Sequence, residues 1–291
     1  MQLLINALIA GSFAALIAGG LSLVYGVLRV FNLSLGQFAL IGGYCCWWLY
    51  RVLDLPLFLS MLGALVIAGI VVWLCFELAV APFYQRHRFL PLVTTLALSM
   101  ILDGAIMMVF EEDPKSILGL KHPLKLGSAI ISMEQLSLII LTLLILCGVA
   151  WLLNATPLGR KIRATVQHSF AARSLGIRSA VLHRVIFCFS GLLAALGGIY
   201  LGIDQNLTPV LGFSITIKAY AALIAGGKDS FWGTIVASYM IALLEQLAIG
   251  LPWFFGSYIA AGYQSSVALI AIMFFLIARP QGLFGSKFRT T

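Results

Sequence analysis

Nine apolar runs along this chain approach the length needed to cross a bilayer. A helix rising ~1.5 Å per residue needs roughly 20 apolar residues to span the hydrocarbon core. Such runs lie near residues 3–28, 33–50, 57–80, 91–110, 134–153, 185–203, 211–227, 231–249 and 264–279. They predict an all-α, polytopic membrane helix bundle. Two runs are weak. Segment 33–50 opens on polar and glycine positions, and 211–227 contains Lys218. Either suits a broken or re-entrant helix, so eight full crossings also fit the pattern. Composition agrees: 62% of the residues are hydrophobic and only 10% charged, more apolar surface than a soluble fold of 291 residues could bury.

The charges orient the bundle. With 18 Lys and Arg against 10 Asp and Glu the chain is basic, but its cations interrupt apolar runs and form no continuous aromatic-laced face. That is a membrane topology signal and argues against nucleic acid as a partner. Placing the N-terminus outside puts Arg29, Arg86, Arg88, six residues of 155–184, Lys228, Arg279, Lys287 and Arg289 inside, 13 of the 18. Arg51, Lys115, Lys121 and Lys125 fall outside, and Lys218 stays in the membrane. The C-terminus is then cytoplasmic, and Glu111, Glu112 and Asp113 belong to a solvated outer loop. The first positive charge is Arg29, so the first run reads as a retained helix and not a cleaved signal peptide.

Other residue types fit a packed bundle better than a reaction centre. The five cysteines lie in apolar stretches, where the thiol packs as a small hydrophobe. Gly11, Ala15 and Gly19, and later Ala194, Gly198 and Gly202, are small residues spaced four apart, which allow helix backbones to approach closely in lipid. His87, His122, His168 and His183 are not spaced as ligands, so neither a metal site nor a catalytic set is expected. Residues 1–291 read as one membrane domain.

The stretch 155–184, "ATPLGRKIRATVQHSFAARSLGIRSAVLHR", carries six cations and no acid. It joins the fifth and sixth runs on the inner side. Thr156-Pro157 is a helix start, a hydroxyl cap followed by proline at the first helical position, and Gly176 is a helix stop. Leu158, Ile162, Val166 and Phe170 recur every four residues beside a polar face carrying Arg160 and Arg163. The pattern predicts one amphipathic helix over 157–176, suited to a lipid interface or to a groove on a soluble partner.

"TPLGRKIRATVQHSFAARSLGI" resembles the coupling loop of bacterial ABC importer permeases, specifically the high-affinity branched-chain amino acid permease family. Three other stretches resemble the same family in the same order: "GLSLVYGVLRVFNLSLGQFALIGGY" (20–44), "PVLGFSITIKAYAALIAGG" (209–227) and "RPQGLFG" (279–285). The chain departs from it at Phe170, where the family often has Glu, and at Leu35-Gly36, where it often has His-Gly. The resemblance implies a multi-pass protein of the bacterial inner membrane. It implies a second related permease, a periplasmic solute-binding protein and two cytoplasmic ABC ATPases that use the ATP. Arg160, Ile162, Arg163, Val166, Phe170, Ala171, Ala172 and Gly176 would then serve ATPase coupling. The chain binds no cofactor on this reading. Its nearest approach to a phosphate-binding loop, "AALIAGGKDS", has Ala222 in place of the first glycine and Asp229 after Lys228.

Polar residues inside a membrane are costly and mark candidate solute paths. Here they are Asn32, Ser34, Gln37, Asp103, Lys218 and Glu245. Lys218 could meet a solute carboxylate or pair with Asp103 or Glu245. Asn32, Ser34 and Gln37 could cap a broken helix or leave its amides free for an anionic group. Glu77, near an inner helix end, reads as structural. A proton-coupled secondary transporter using Asp103, Glu77 and Glu245 as a relay is the alternative.

Overall fold

The computed structural model describes residues 2–84, 89–118, 123–126, 129–250, 266, 269–270, 273, 275–277 and 282–284. Ten helices follow in order: α1 (Gln2–Leu28), α2 (Leu35–Arg51), α3 (Leu57–Cys75), α4 (Leu90–Phe110), α5 (Met133–Ala155), α6 (Pro157–Gln167), α7 (Ser169–Ser174), α8 (Ser179–Asp204), α9 (Leu211–Gly226) and α10 (Phe231–Gly250). A π-helical turn, Phe76–Val80, extends α3, and an antiparallel hairpin, β1 (Pro123–Leu126) with β2 (Ala129–Ser132), precedes α5. Among the described residues, six helices are long and apolar enough to cross a membrane: α1, α3 with its π turn, α4, α5, α8 and α10. The two weak segments are the shorter helices α2 and α9, of 17 and 16 residues. Most of the ninth segment, 264–279, lies outside the described residues, as do Arg86, Arg88, Lys121, Arg279, Lys287 and Arg289.

Burial sorts the helices into a centre and a surround. The spans of α1 and α8 are 83% and 78% buried, against 22%, 17% and 28% for α3, α4 and α5. The outer helices turn Phe58, Val66, Met100, Met108, Leu144 and Trp151 outward. An apolar exterior of this kind is covered by lipid or by another apolar chain. At the centre, small residues set the spacing. A Cβ on Gly198 of α8 would stand 1.7 Å from the carbonyl oxygen of Ala39 in α2, so only glycine lets the two backbones meet there.

Caps and straps fix the helix ends. Ser132 and Gln135 form a reciprocal capping box at the start of α5, and Gln135 Nε2 also donates to Asp204 Oδ1 at the end of α8, 2.8 Å away. Lys115 and Leu207 exchange backbone hydrogen bonds, and Ile117 N donates to Gly202 O, holding the loop after α4 against the loop after α8. Glu111, Glu112 and Asp113 are solvent-exposed beside it. At the other end, Leu283 N and Phe284 N donate to the carbonyls of Ala225 and Gly226, closing the last turn of α9. All five cysteines are free thiols.

Candidate functional site

Two buried polar clusters flank α9, and a third group of predicted residues lies on α6 and α7. The first cluster surrounds the junction between α1 and α2. Residues 29–34 leave the helix, with Arg29 at φ 55°. Val30, Asn32 and Ser34 are nonetheless buried. Non-helical backbone inside a membrane bundle must find hydrogen-bond partners within the protein. Asn32 Oδ1 accepts from Ser34 N and Ser34 Oγ at 3.1 and 2.7 Å. Thr95 of α4 lies with its hydroxyl 3.1 Å from the Phe31 carbonyl and accepts from Leu33 N. Thr216 of α9 accepts from Gly36 N at 3.0 Å. One turn on, Gln37 Nε2 donates to Asp103 Oδ1 at 3.1 Å.

The amides of Ser34 and Gly36 are therefore engaged, by Asn32 and by Thr216, while the Ser34 side chain makes no cap on α2. Gly36 itself is dictated by packing, because a Cβ there would stand 1.9 Å from the Gly212 carbonyl oxygen. Thr95, Thr216 and Gly212 escape a reading of the sequence. A threonine in an apolar helix ordinarily bonds the carbonyl four residues back, as Thr216 also does to Gly212.

The second cluster lies between α1, α9 and α10. Lys218 Nζ is 2.8 Å from Glu245 Oε1, with side-chain exposures of 29% and 9%. Of the two acids considered for Lys218, Glu245 is the partner, while Asp103 takes Gln37. The pair borders a cavity of about 130 Å³ whose wall combines Phe13, Ile17, Ile215 and Ile241 with Gln205, Ser238 and Gln246. The cavity is walled by α1, the end of α8, α9 and α10, so no single stretch of sequence announces Gln205, Ser238 or Gln246.

The segment 157–176 departs from expectation in one respect: it forms two helices. The break falls at His168, in extended backbone at φ −145° and ψ 91°. Thr156 caps α6 by accepting from Gly159 N at 3.3 Å, Pro157 occupies its first turn, and Gly176 at φ 80° ends the segment. The break splits the apolar stripe. Ile162 turns into the bundle, and with the half-buried Leu158 it borders a small apolar gap shared with Leu23, Val27, Ile186 and Phe189. Past His168 it is Ala172 that is buried, while Phe170 is 79% and Leu175 80% exposed. Val166 is 40% exposed.

Arg163 does not stand on a free polar face. Its guanidinium donates to the carbonyls of Leu153 and Asn154 and so caps the end of α5. A Cβ on Gly159 would come within 1.9 Å of the same Leu153 oxygen, so α6 is seated tightly on α5. Of the residues predicted to couple, Ile162, Arg163 and Ala172 anchor the two helices. Arg160, Val166, Phe170, Ala171 and Gly176 face outward.

Neighbouring ion pairs brace this end of the bundle. Glu77, in the π turn after α3, pairs with Arg184 of α8. Arg29 Nη1 lies 2.8 Å from Asp229 Oδ1. Tyr84 packs edge-on against His183, and burial raises the pKa of its phenol while the charge of Arg173 opposes the rise.

The described chain is a helical bundle with six span-length apolar helices and a basic helix pair seated at one end. A profile described as "Branched-chain amino acid transport system / permease component" matches residues 3–278, and the chain belongs to that family. Among its relatives, the high-affinity branched-chain amino acid transport system permease protein BraD of Pseudomonas aeruginosa is 28% identical over 98% of this chain and 95% of BraD. The corresponding LivH of Escherichia coli K12 is 24% identical, over 98% of this chain and 95% of LivH. An autoinducer 2 import system permease protein, LsrC of Photorhabdus laumondii, is 28% identical over 63% of this chain and 56% of LsrC. Among solved structures, PsaBC from Streptococcus pneumoniae in complex with Fab superposes with a TM-score of 0.51 at 16% identity, over 96% of this chain and 91% of that one. At that identity it speaks to the fold alone.

Proposed function

We propose that this chain is the membrane-spanning subunit of an ATP-driven importer for branched-chain amino acids or a related small polar solute. It works with a second related permease, a periplasmic binding protein and two cytoplasmic ATPases that hydrolyse the ATP. It sits in a bacterial inner membrane with its N-terminus outside and its C-terminus and residues 155–184 in the cytoplasm.

The observation that carries this reading is the build of α6 and α7. They are fixed to the bundle through Ile162, Arg163 and Ala172, yet they turn Phe170 and Leu175 outward at 79% and 80% exposure. A rigidly seated helix pair with a bare aromatic at its tip is suited to a groove on a soluble partner, and can transmit that partner's motion to α5 and α8. The same chemistry weighs against a proton relay. Glu77, Asp103 and Glu245 are each engaged separately, with Arg184, Gln37 and Lys218. A relay needs carboxylates that pass a proton to one another.

Co-purification from native membranes tests the coupling. Wild-type chain is expected to retain an ATPase, and the double variant Val166→Asp/Phe170→Asp to lose it while staying folded. An ATPase that is never retained, or one that the double variant retains fully, contradicts the proposal.

A further inference from the structure

The fold does not require a charge pair between α9 and α10. These helices already meet through Gly226 and Gly233, where a Cβ on either would stand 2.3 Å from backbone of the other. Buried opposite charges gain little over an apolar pair of similar volume, because desolvation offsets their attraction. A pair kept at that cost inside a membrane bundle points to traffic of charged solute past it. Three features say what kind.

Lys218 and Glu245 border an open cavity and are not sealed in packed core. Glu245 is buried, at 9% exposure, whereas Lys218 is 29% exposed on a flexible four-carbon stem. Beyond the charges the wall has an apolar part, made by Phe13, Ile17, Ile215 and Ile241, beside the polar Gln205, Ser238 and Gln246. A volume of about 130 Å³ is near the roughly 150 Å³ that holds benzene in an engineered apolar core, enough for a branched aliphatic side chain.

From this geometry we infer that Lys218 and Glu245 form a transient subsite for a zwitterionic amino acid. The solute's ammonium replaces Lys218 at Glu245, its carboxylate takes Lys218, and its side chain enters the Phe13–Ile17–Ile215–Ile241 pocket. Neither state strands a charge: one ion pair becomes two, and the lysine closes on the glutamate again when the solute leaves. The inference rests on the importer reading and narrows its solute to a molecule carrying both charges beside an aliphatic group.

Purified full-length chain in lipid nanodiscs provides the test, read as thermal unfolding with added L-leucine, leucinamide or N-acetyl-leucine. Leucine is expected to raise the midpoint saturably. Leucinamide lacks the carboxylate and N-acetyl-leucine the ammonium, and each should need a concentration about tenfold higher or more, the loss expected for one charge-assisted contact. Lys218→Met/Glu245→Leu should unfold at the wild-type midpoint or above it and give no leucine response. Equal responses to all three compounds, no response in wild type, or a response surviving in the double variant would each overturn the subsite. ATP-driven uptake by the full assembly separates this from the parent reading. Uptake without the leucine response removes only the subsite, and a leucine response without ATP-driven uptake removes only the importer.

Discussion

The two polar clusters on either side of α9 follow opposite rules. Apart from the exposed Arg29–Asp229 pair, the contacts of the α1–α2 junction are made by neutral groups or by a single carboxylate, and the parts lie close together: Thr216 reaches Gly36, Thr95 reaches Leu33, and Gly36 lies against Gly212. At Lys218 and Glu245 two full charges meet beside a cavity. The first cluster answers a need of the fold, since residues 30–34 are non-helical yet partly or wholly buried and their backbone groups must be paired. The second answers no such need, since α9 and α10 each satisfy their own backbone. On the proposed reading, the close-packed neutral hydrogen bonding is support, and the ion pair with room beside it belongs to the solute's path.

Substitutions on the two sides can break or sharpen that contrast, with thermal unfolding of the detergent-solubilised chain as the common measurement. The largest loss should come from Lys218→Met alone, about 3 kcal/mol, because it leaves Glu245 buried and uncompensated. Gly36→Val should approach it at about 2–3 kcal/mol, since the added carbon drives α2 off the backbone of α9. Thr216→Val keeps the shape but removes the acceptor of Gly36 N, for about 1 kcal/mol. Smallest of all should be the paired change Lys218→Met/Glu245→Leu, within about 0.5 kcal/mol of wild type or stabilising. If the paired change destabilised as much as Lys218→Met alone, the ion pair would be support after all, and the contrast would collapse.

Much of this arrangement was legible in the sequence, and the exceptions have physical causes. Length and hydropathy find α1, α3, α4, α5, α8 and α10 because a lipid-crossing helix has few other ways to look. Thr156-Pro157 and Gly176 mark their boundaries because caps are local chemistry. The break at His168 is not visible, since Leu158, Ile162, Val166 and Phe170 keep helical spacing whether or not the helix continues. Only the tertiary seat of α6 on α5, through Gly159 and Arg163, turns Ile162 inward and frees Phe170. Lys218 and Glu245 stand out as charges in apolar runs, so both could be named in advance. Their pairing depends on how α9 and α10 meet, and the cavity beside them on how α1 and α8 close against both. Thr95 and Thr216 are silent for a different reason: their role belongs to the irregular backbone of residues 29–34 and not to their own helices.

On the proposed function, transport through this bundle is driven by ATP acting on α6 and α7. Leucine uptake into proteoliposomes holding the assembled transporter, with binding protein outside and ATP inside, tests it most directly when a proton ionophore is added. Uptake that requires ATP, survives the ionophore and falls with Val166→Asp/Phe170→Asp is the predicted result. Uptake that proceeds without ATP and stops with the ionophore would contradict the account and return Asp103, Glu77 and Glu245 to the role of a proton path.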